Sequence, residues 1–250
     1  MIEASGENMS TVPKPQVFPP GRIAHLILRA RALIFDVDGT LAETEEVHRK
    51  AFNAAFAKTG LDWCWGQVIY KELLQVAGGK ERIRAYDRLR DGPPLLSDSD
   101  VAELHQVKTG IYTEFIASGG CPLRPGIKYL LNAARKRGQR LAIATTTSRE
   151  NVDVLLTAAW GKDWADLFVA IVAGDEVPSK KPAPDVYLEV LSRLTLPASE
   201  CLAIEDSGNG LVAASRAGIP VLISRSAYFR DDDFSAAALV VEDLSEMEGI

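Results

Sequence analysis

Five short apolar runs constrain this chain more than any other feature: residues 32–35, 141–144, 169–173, 201–204 and 221–223. None alternates apolar with polar residues. Alternation marks a strand with one wet face, whereas an unbroken apolar run of strand length is covered on both faces. Helical patterns lie between the runs. Pro125-Gly126 opens one in which Ile127, Leu130, Leu131 and Ala134 share a face, and Gly138 ends it. Others cover 149–159, 185–194 and 209–217, the last closed by Gly218. The alternation predicts an α/β fold with a doubly wound, parallel, Rossmann-like sheet as its core.

One interval breaks the rhythm. Residues 45–58, 66–76, 80–90 and 99–117 read as helices with no convincing strand among them. A helical insert after the first strand predicts a second, smaller domain. The expected division is an N-terminal arm over 1–30, an α/β core over 31–44 and 122–250, and a helical cap over 45–121. The first twenty residues hold Glu3, Glu7 and four prolines but no apolar h-region, so they do not read as a signal peptide. With 250 residues and 47% apolar content, the chain can bury a core and a smaller domain. A net charge of −6 suggests no nucleic-acid surface. No apolar stretch approaches the ~20 residues that span a bilayer. Three widely spaced cysteines, none in a CxxC, fit reduced thiols. The expectation is a monomeric, cytoplasmic protein that engages neither nucleic acid nor membrane.

Ligands of an open parallel sheet bind beyond the carboxyl ends of its strands. Polar residues collect there. The first run ends in Asp36-Val37-Asp38-Gly39-Thr40 and the second in Thr145-Thr146-Thr147-Ser148. The third leads through Gly174-Asp175 to Lys180-Lys181-Pro182-Ala183-Pro184-Asp185, and the fourth ends in Glu205-Asp206-Ser207. Taken singly, each stretch has a plain reading. Asp-Gly is a common turn dipeptide. The threonine run could be a helix N-cap cluster ahead of Glu150, and Glu-Asp-Ser could cap the next helix. Lys-Lys-Pro is usually a solvated loop. The plain readings do not explain four such stretches at successive strand ends. Acids at a buried strand end cost desolvation energy unless something pairs with them, so a metal and a lysine are expected among them.

The order Asp-x-Asp-Gly-Thr, strand-end Thr, Lys-Pro-x-Pro-Asp, Glu-Asp-Ser resembles the haloacid dehalogenase superfamily of phosphotransferases. The match runs from about residue 31 to the last strand, and the insert resembles that family's cap of the first kind. Five stretches are similar to CbbY-type proteins, the xylulose-1,5-bisphosphate phosphatases associated with Rubisco. They are AETEEVHRKAF (42–52), GGKERI (78–83), LRPGI (123–127), ATTTS (144–148) and KKPAPD (180–185). The chain departs from that pattern in having residues 1–30 before its first strand.

The resemblance implies a chemistry. A phosphate monoester repels nucleophiles, so catalysis needs a cation, a positioned nucleophile and a proton donor. Asp36 would attack phosphorus and form an aspartyl-phosphate. Asp38 would protonate the leaving oxygen and then activate water, two steps with opposite proton demands. Thr145 would donate to the transferring phosphoryl group. Lys181 would neutralise it, in preference to Lys180 because Lys181 directly precedes Pro-x-Pro-Asp. Mg²⁺ would bind Asp36, the backbone carbonyl of Asp38 and Asp206, with Glu205 on the metal or one of its waters. Mg²⁺ prefers oxygen donors, and the absence of a Cys/His cluster disfavours zinc.

Substrate contacts are expected from Glu45, Lys80, Lys108, Thr146, Thr147 and Arg149. His48, on one helix face with Phe52 and Phe56, reads as a structural histidine near the hinge. Trp63, Trp65, Trp160 and Trp164 read as packing residues. The implied function is a Mg²⁺-dependent phosphatase of a small phosphorylated sugar, xylulose-1,5-bisphosphate foremost, a Rubisco-inhibitory by-product. The alternatives are a β-phosphoglucomutase-like phosphotransferase, a phosphoglycolate-type phosphatase, or a catalytically silent binding module of the same fold. The presence of every expected catalytic residue argues against silence.

Overall fold

The computed structural model describes residues 21–247. The expected arm lies outside the described residues over 1–20. Gly21–Arg29 is helix α1, which buries Ile23 and Ile27 in the main core. Gln139 Nε2 closes the end of α1 by donating to the carbonyls of Ile27 at 2.9 Å and Ala30 at 2.7 Å. These residues therefore pack with the α/β body.

Six strands follow: β1 Ala32–Phe35, β2 Arg140–Ala144, β3 Ala170–Val172, β4 Cys201–Glu205, β5 Val221–Ser224 and β6 Leu239–Val241. They form one sheet in the order β3-β2-β1-β4-β5-β6, and every neighbouring pair is parallel. β6 extends the sheet beyond the five expected strands. It has three residues and only Leu239 is buried, so its sequence carries little pattern.

The period-two geometry of a strand sorts the apolar runs onto two faces. Leu33, Phe35, Leu141, Ile143, Leu202 and Ile204 point into one core cluster. Ala32, Ile34, Ala142, Ala144, Cys201 and Ala203 point into another. Between β1 and β2 lie α2 Glu45–Lys58, α3 Gln67–Leu73, α4 Gly79–Leu89 and α5 Asp98–Ala117. These helices enclose a third cluster around Phe52, Phe56, Trp63, Trp65, Tyr70 and Ile83. Tyr228, which follows β5, ties the insert to the sheet by donating from Oη to Glu46 at 2.7 Å. Helices α6 Ile127–Lys136 and α7 Arg149–Trp160 cover the first face with α1, while α8 Asp185–Leu194 and α9 Gly208–Arg216 cover the second. Trp164 is buried in the first cluster and Trp160 packs against it.

The chain passes from β1 outward through β2 and β3, then crosses back to β4 and runs outward through β5 and β6. Strand order thus reverses at β1, and a crevice opens beyond the carboxyl ends of β1 and β4. Among the described residues, no helix is long and apolar enough to cross a membrane.

Candidate active site

Asp36 leaves β1 still within the ladder, its N–H donating to Ile204 O at 3.0 Å. Gly39 then reverses the chain at φ +78°, and its N–H donates to Ala42 O at 2.8 Å. A Cβ there would lie 1.9 Å from Asp206 Oδ2, so only glycine fits both the turn and its neighbour. Buried Arg124 pins this loop, donating from Nη1 to Gly39 O at 2.5 Å and Ser224 O at 3.0 Å.

Lys181, and not Lys180, reaches the first acid. Its Nζ donates to Asp36 Oδ1 at 2.6 Å, Glu205 Oε1 at 2.6 Å and Ala144 O at 2.9 Å. Lys180 pairs instead with Glu81 on α4 at 3.2 Å. Glu205 Oε1 also accepts from Tyr187 Oη at 2.5 Å, and Oε2 accepts from Asp206 N at 3.3 Å. Asp206 Oδ1 faces Thr40 Oγ1 at 3.4 Å, but buried Oδ2 has no hydrogen-bond partner.

Asp36, Glu205 and Asp206 therefore bring three buried carboxylates together, with oxygens all within 4.8 Å of one another. One ammonium, Lys181, neutralises one of three negative charges and leaves two. An all-oxygen cluster with an orphaned buried oxygen and two uncompensated charges fits a hard divalent cation. The carboxyls respond as that imbalance requires. Burial pushes Asp36 up to about 8 against the pull of Lys181, with Glu205 adding to the rise. Burial, Asp36 and Glu205 likewise drive Asp206 well above the carboxylate range. Burial alone would strip the proton from Lys181, but Asp36 and Glu205 reverse that and keep it a cation.

Asp38 has a different environment. Its Oδ1 accepts from Thr44 Oγ1 at 2.5 Å and lies 3.2 Å from His48 Nε2. His48 Nδ1 is 2.7 Å from Lys108 Nζ. An ionised carboxylate only accepts, so Nε2 carries the hydrogen that faces Asp38 and Nδ1 accepts from Lys108. Burial would raise the Asp38 carboxyl, yet His48 and Thr44 outweigh it and bring it down to about 2. Burial pulls Lys108 down to about 7, and burial with Lys108 lowers His48. The two acids of the Asp-x-Asp pair are thus pushed in opposite directions.

Thr145 follows β2 directly and is buried; its Oγ1 accepts from Thr147 N at 3.2 Å, which leaves its own proton free to donate. Ser148 caps α7 by accepting from Asn151 N, and Asn151 Nδ2 fixes Thr147 Oγ1 at 2.9 Å.

These groups surround one cavity of about 100 Å³. Asp36, Asp38, Glu45, Lys80, Lys108, Thr145, Thr146, Thr147, Lys181 and Asp206 line it. Glu205 lies beneath, wholly buried. Glu45 accepts from Tyr70 Oη at 2.8 Å, and Tyr70 Oη in turn accepts from Arg82 Nη1 at 3.1 Å. Arg149 does not line the cavity. It is half-exposed, one helical turn from Asp153, and its Nε pairs with that residue at 2.8 Å while its guanidinium stands over Trp164. In this structure Arg149, expected to contact substrate, is held outside the cavity by an i,i+4 ion pair.

The structure adds lining residues that the sequence did not single out for function. His48 joins Asp38 to Lys108 rather than serving only as hinge packing. His105 on α5 lies among cations: burial, then Lys108, Lys80 and Lys180, push it down to about 3. Lys180 itself also lines the cavity. The signal for His48 was its place one turn after Glu45 at the start of α2, and that for Lys180 was the KKPAPD stretch it opens; His105 gave none, because only tertiary packing brings α4, α5 and the loop after β3 together.

A haloacid dehalogenase-like hydrolase family model matches residues 30–218. The protein CbbY of Rhodobacter capsulatus is 54% identical over 219 residues, spanning 87% of this chain and 95% of the relative. A crystal structure of CbbY from Rhodobacter sphaeroides in complex with phosphate superposes with a TM-score of 0.83 at 44% identity, covering 87% of this chain and 96% of that one. An aspartate-to-asparagine variant of the same protein, in complex with xylulose-1,5-bisphosphate, superposes with a TM-score of 0.83, at the same identity and coverage.

Proposed function

The chain belongs to the haloacid dehalogenase-like hydrolases, and from that premise we propose that it removes a phosphate from xylulose-1,5-bisphosphate with Mg²⁺ bound. It is a phosphatase that acts on phosphorylated sugars. The observation that carries the finer reading is one cavity with two kinds of group. Asp36, Lys181 and Thr145 converge at the sheet edge, while Lys80, Lys108 and Lys180 enter the same space from the helical insert and the loop after β3. A monophosphate needs only the first set; a substrate with two phosphates uses both. A xylulose-1,5-bisphosphate complex of a similar protein supports the same substrate here.

In this reading Asp36 is the nucleophile. Lys181 holds its Oδ1 and keeps the attacking oxygen aimed along the line of displacement. The carboxylates of Asp36 and Asp206 and the carbonyl of Asp38 would hold Mg²⁺, which would supply positive charge against the phosphoryl oxygens. Thr145 donates its free hydroxyl hydrogen to the phosphoryl group. Asp38 protonates the leaving oxygen and later takes a proton from the water that opens the aspartyl-phosphate. Thr44 and His48 favour the ionised form of Asp38, which takes the proton from water; the proton given to the leaving oxygen is one Asp38 takes up beforehand. The insert acts as a cap: with the cavity between it and the sheet, residues 45–121 carry specificity while the sheet edge carries chemistry.

The test is a phosphate-release assay with Mg²⁺ over xylulose-1,5-bisphosphate, 2-phosphoglycolate and β-glucose 1-phosphate. Preferred, stoichiometric phosphate release from the bisphosphate is the expected result. An isomerised sugar phosphate with no free phosphate would instead identify a mutase.

A further inference from the structure

Tyr187 lies on the first turn of α8, wholly buried, six residues after Lys181. Its Oη donates to Glu205 Oε1 at 2.5 Å, the same oxygen that accepts from Lys181 at 2.6 Å. Lys181 Nζ also stands 5.1 Å from the centre of the Tyr187 ring. On the opposite side, α9 closes on the Glu205 carboxylate: a Cβ on Gly210 would meet it at 2.1 Å. Glu205 is thereby clamped between α8 and α9 and has no room to follow a group moving in the cavity.

All three hydrogens of Lys181 are in use, on Asp36, Glu205 and Ala144 O. A phosphoryl group arriving beside Asp36 requires one of them. The Ala144 and Asp36 bonds locate the ammonium and the nucleophile, so the hydrogen that can be released is the one on Glu205. Releasing it from a buried carboxylate oxygen with no other donor would carry the full penalty of an unsatisfied charge. Tyr187 is that other donor.

We propose that Tyr187 is a positioning residue for phosphoryl transfer, holding Glu205 so that Lys181 can turn one hydrogen to the transferring phosphoryl group. The inference rests on the reading of Lys181 as the phosphoryl-facing cation. Without the Tyr187 hydroxyl, Glu205 Oε1 depends on Lys181 alone and retains it. The lost interaction belongs to the transition state, so the effect falls on kcat and not on substrate affinity.

The experiment compares Tyr187→Phe, which keeps the ring and removes only the hydroxyl, with the unchanged protein. We expect kcat on xylulose-1,5-bisphosphate to fall roughly ten- to a hundredfold, the range of one hydrogen bond to a charged group, with KM within about twofold. Mg²⁺ affinity measured by calorimetry should also stay within about twofold. The same change made in the Glu205→Gln background should cost less than about threefold, because no buried charge then needs the hydroxyl. An unchanged kcat, an equal loss in both backgrounds, or a parallel loss of KM, Mg²⁺ affinity and melting temperature would each overturn the proposal. Lys181→Met separates the two readings. If it is inactive while Tyr187→Phe turns over normally, only the role of Tyr187 fails; if it keeps full activity, the reading of Lys181 fails with it.

Discussion

Lys108 Nζ lies 2.7 Å from His48 Nδ1, and through that contact the helical insert sets the imidazole tautomer that faces Asp38. The Asp38 carboxyl, brought down to about 2, holds its ionised form with the help of the His48 hydrogen. His48→Ala should lower kcat on a sugar phosphate by roughly ten- to a hundredfold, the range of one hydrogen bond to a charged group. Single-turnover release of p-nitrophenol from p-nitrophenyl phosphate should suffer much less, since that step needs no proton on the leaving group and precedes the attack of the water that ionised Asp38 activates. Equal losses on both substrates would remove His48 from the proton-transfer apparatus.

Lys108 also gives a stability signature. Burial brings it from 10.5 down to about 7, so between about pH 7 and 10.5 the unfolded chain binds a proton that the folded chain does not. The contribution of Lys108 to stability therefore rises with pH across that window, and the cost of the buried ammonium is fully present below about pH 7. Lys108→Met should melt above the unchanged protein at pH 6, and its lead should shrink by pH 10. A constant difference across those values would mean that Lys108 titrates as an ordinary lysine.

The orphaned Asp206 Oδ2 makes cation binding measurable without turnover. At a Mg²⁺ concentration a hundred times its dissociation constant, the unchanged protein should gain about 2.7 kcal/mol of stability, seen as a rise of several degrees in Tm. Asp206→Asn should respond far less to Mg²⁺. In EDTA it should melt no lower than the unchanged protein, since it removes one buried carboxylate from a cluster of three. Chelation should also stop phosphate release, and Mg²⁺ should restore it. A Tm shift that Asp206→Asn leaves intact would place the cation elsewhere.

How far the sequence foretells this site depends on the range of the interactions that build it. Asp36, Thr145 and Asp206 stand directly after β1, β2 and β4, and a parallel sheet brings strand ends together whatever else the chain does; Lys181 comes later, in the loop after β3, and is marked by its place before Pro-x-Pro-Asp. Their apolar runs are long enough to read, so the sheet and its polar edge follow from local pattern. β6 does not, because three residues at the sheet edge with one buried side chain carry too little periodicity. The partners of Asp38 are a mixed case. Thr44 and His48 follow it closely in the chain, but Lys108 reaches His48 across sixty residues by helix packing alone. Arg149 is the converse case. Its position beside the threonine run suggested the cavity, yet a local acid four residues on holds it outside.

The distal end of the substrate is where the insert and the sheet edge can be tested apart. Lys80 and Lys180 line the cavity, His105 lies among them, and Lys180 is held by Glu81 at 3.2 Å. Glu81 is nearly half exposed on its side chain, so a second phosphate can displace it and take the lysine. A charge-assisted hydrogen bond contributes about 1.5–3 kcal/mol, or roughly ten- to a hundredfold in an equilibrium constant. Lys80→Ala and Lys180→Ala should each lower kcat/KM for xylulose-1,5-bisphosphate by about that factor. Both should change much less on 2-phosphoglycolate, which has no second phosphate to lose. Arg149→Ala should stay within about twofold on either substrate, because its partners are Asp153 and the Trp164 ring. Equal losses on bisphosphate and monophosphate would show that these lysines shape the cavity in general and do not read a second phosphate. A large effect of Arg149→Ala would show that its ion pair opens when substrate arrives, and would return it to the binding site.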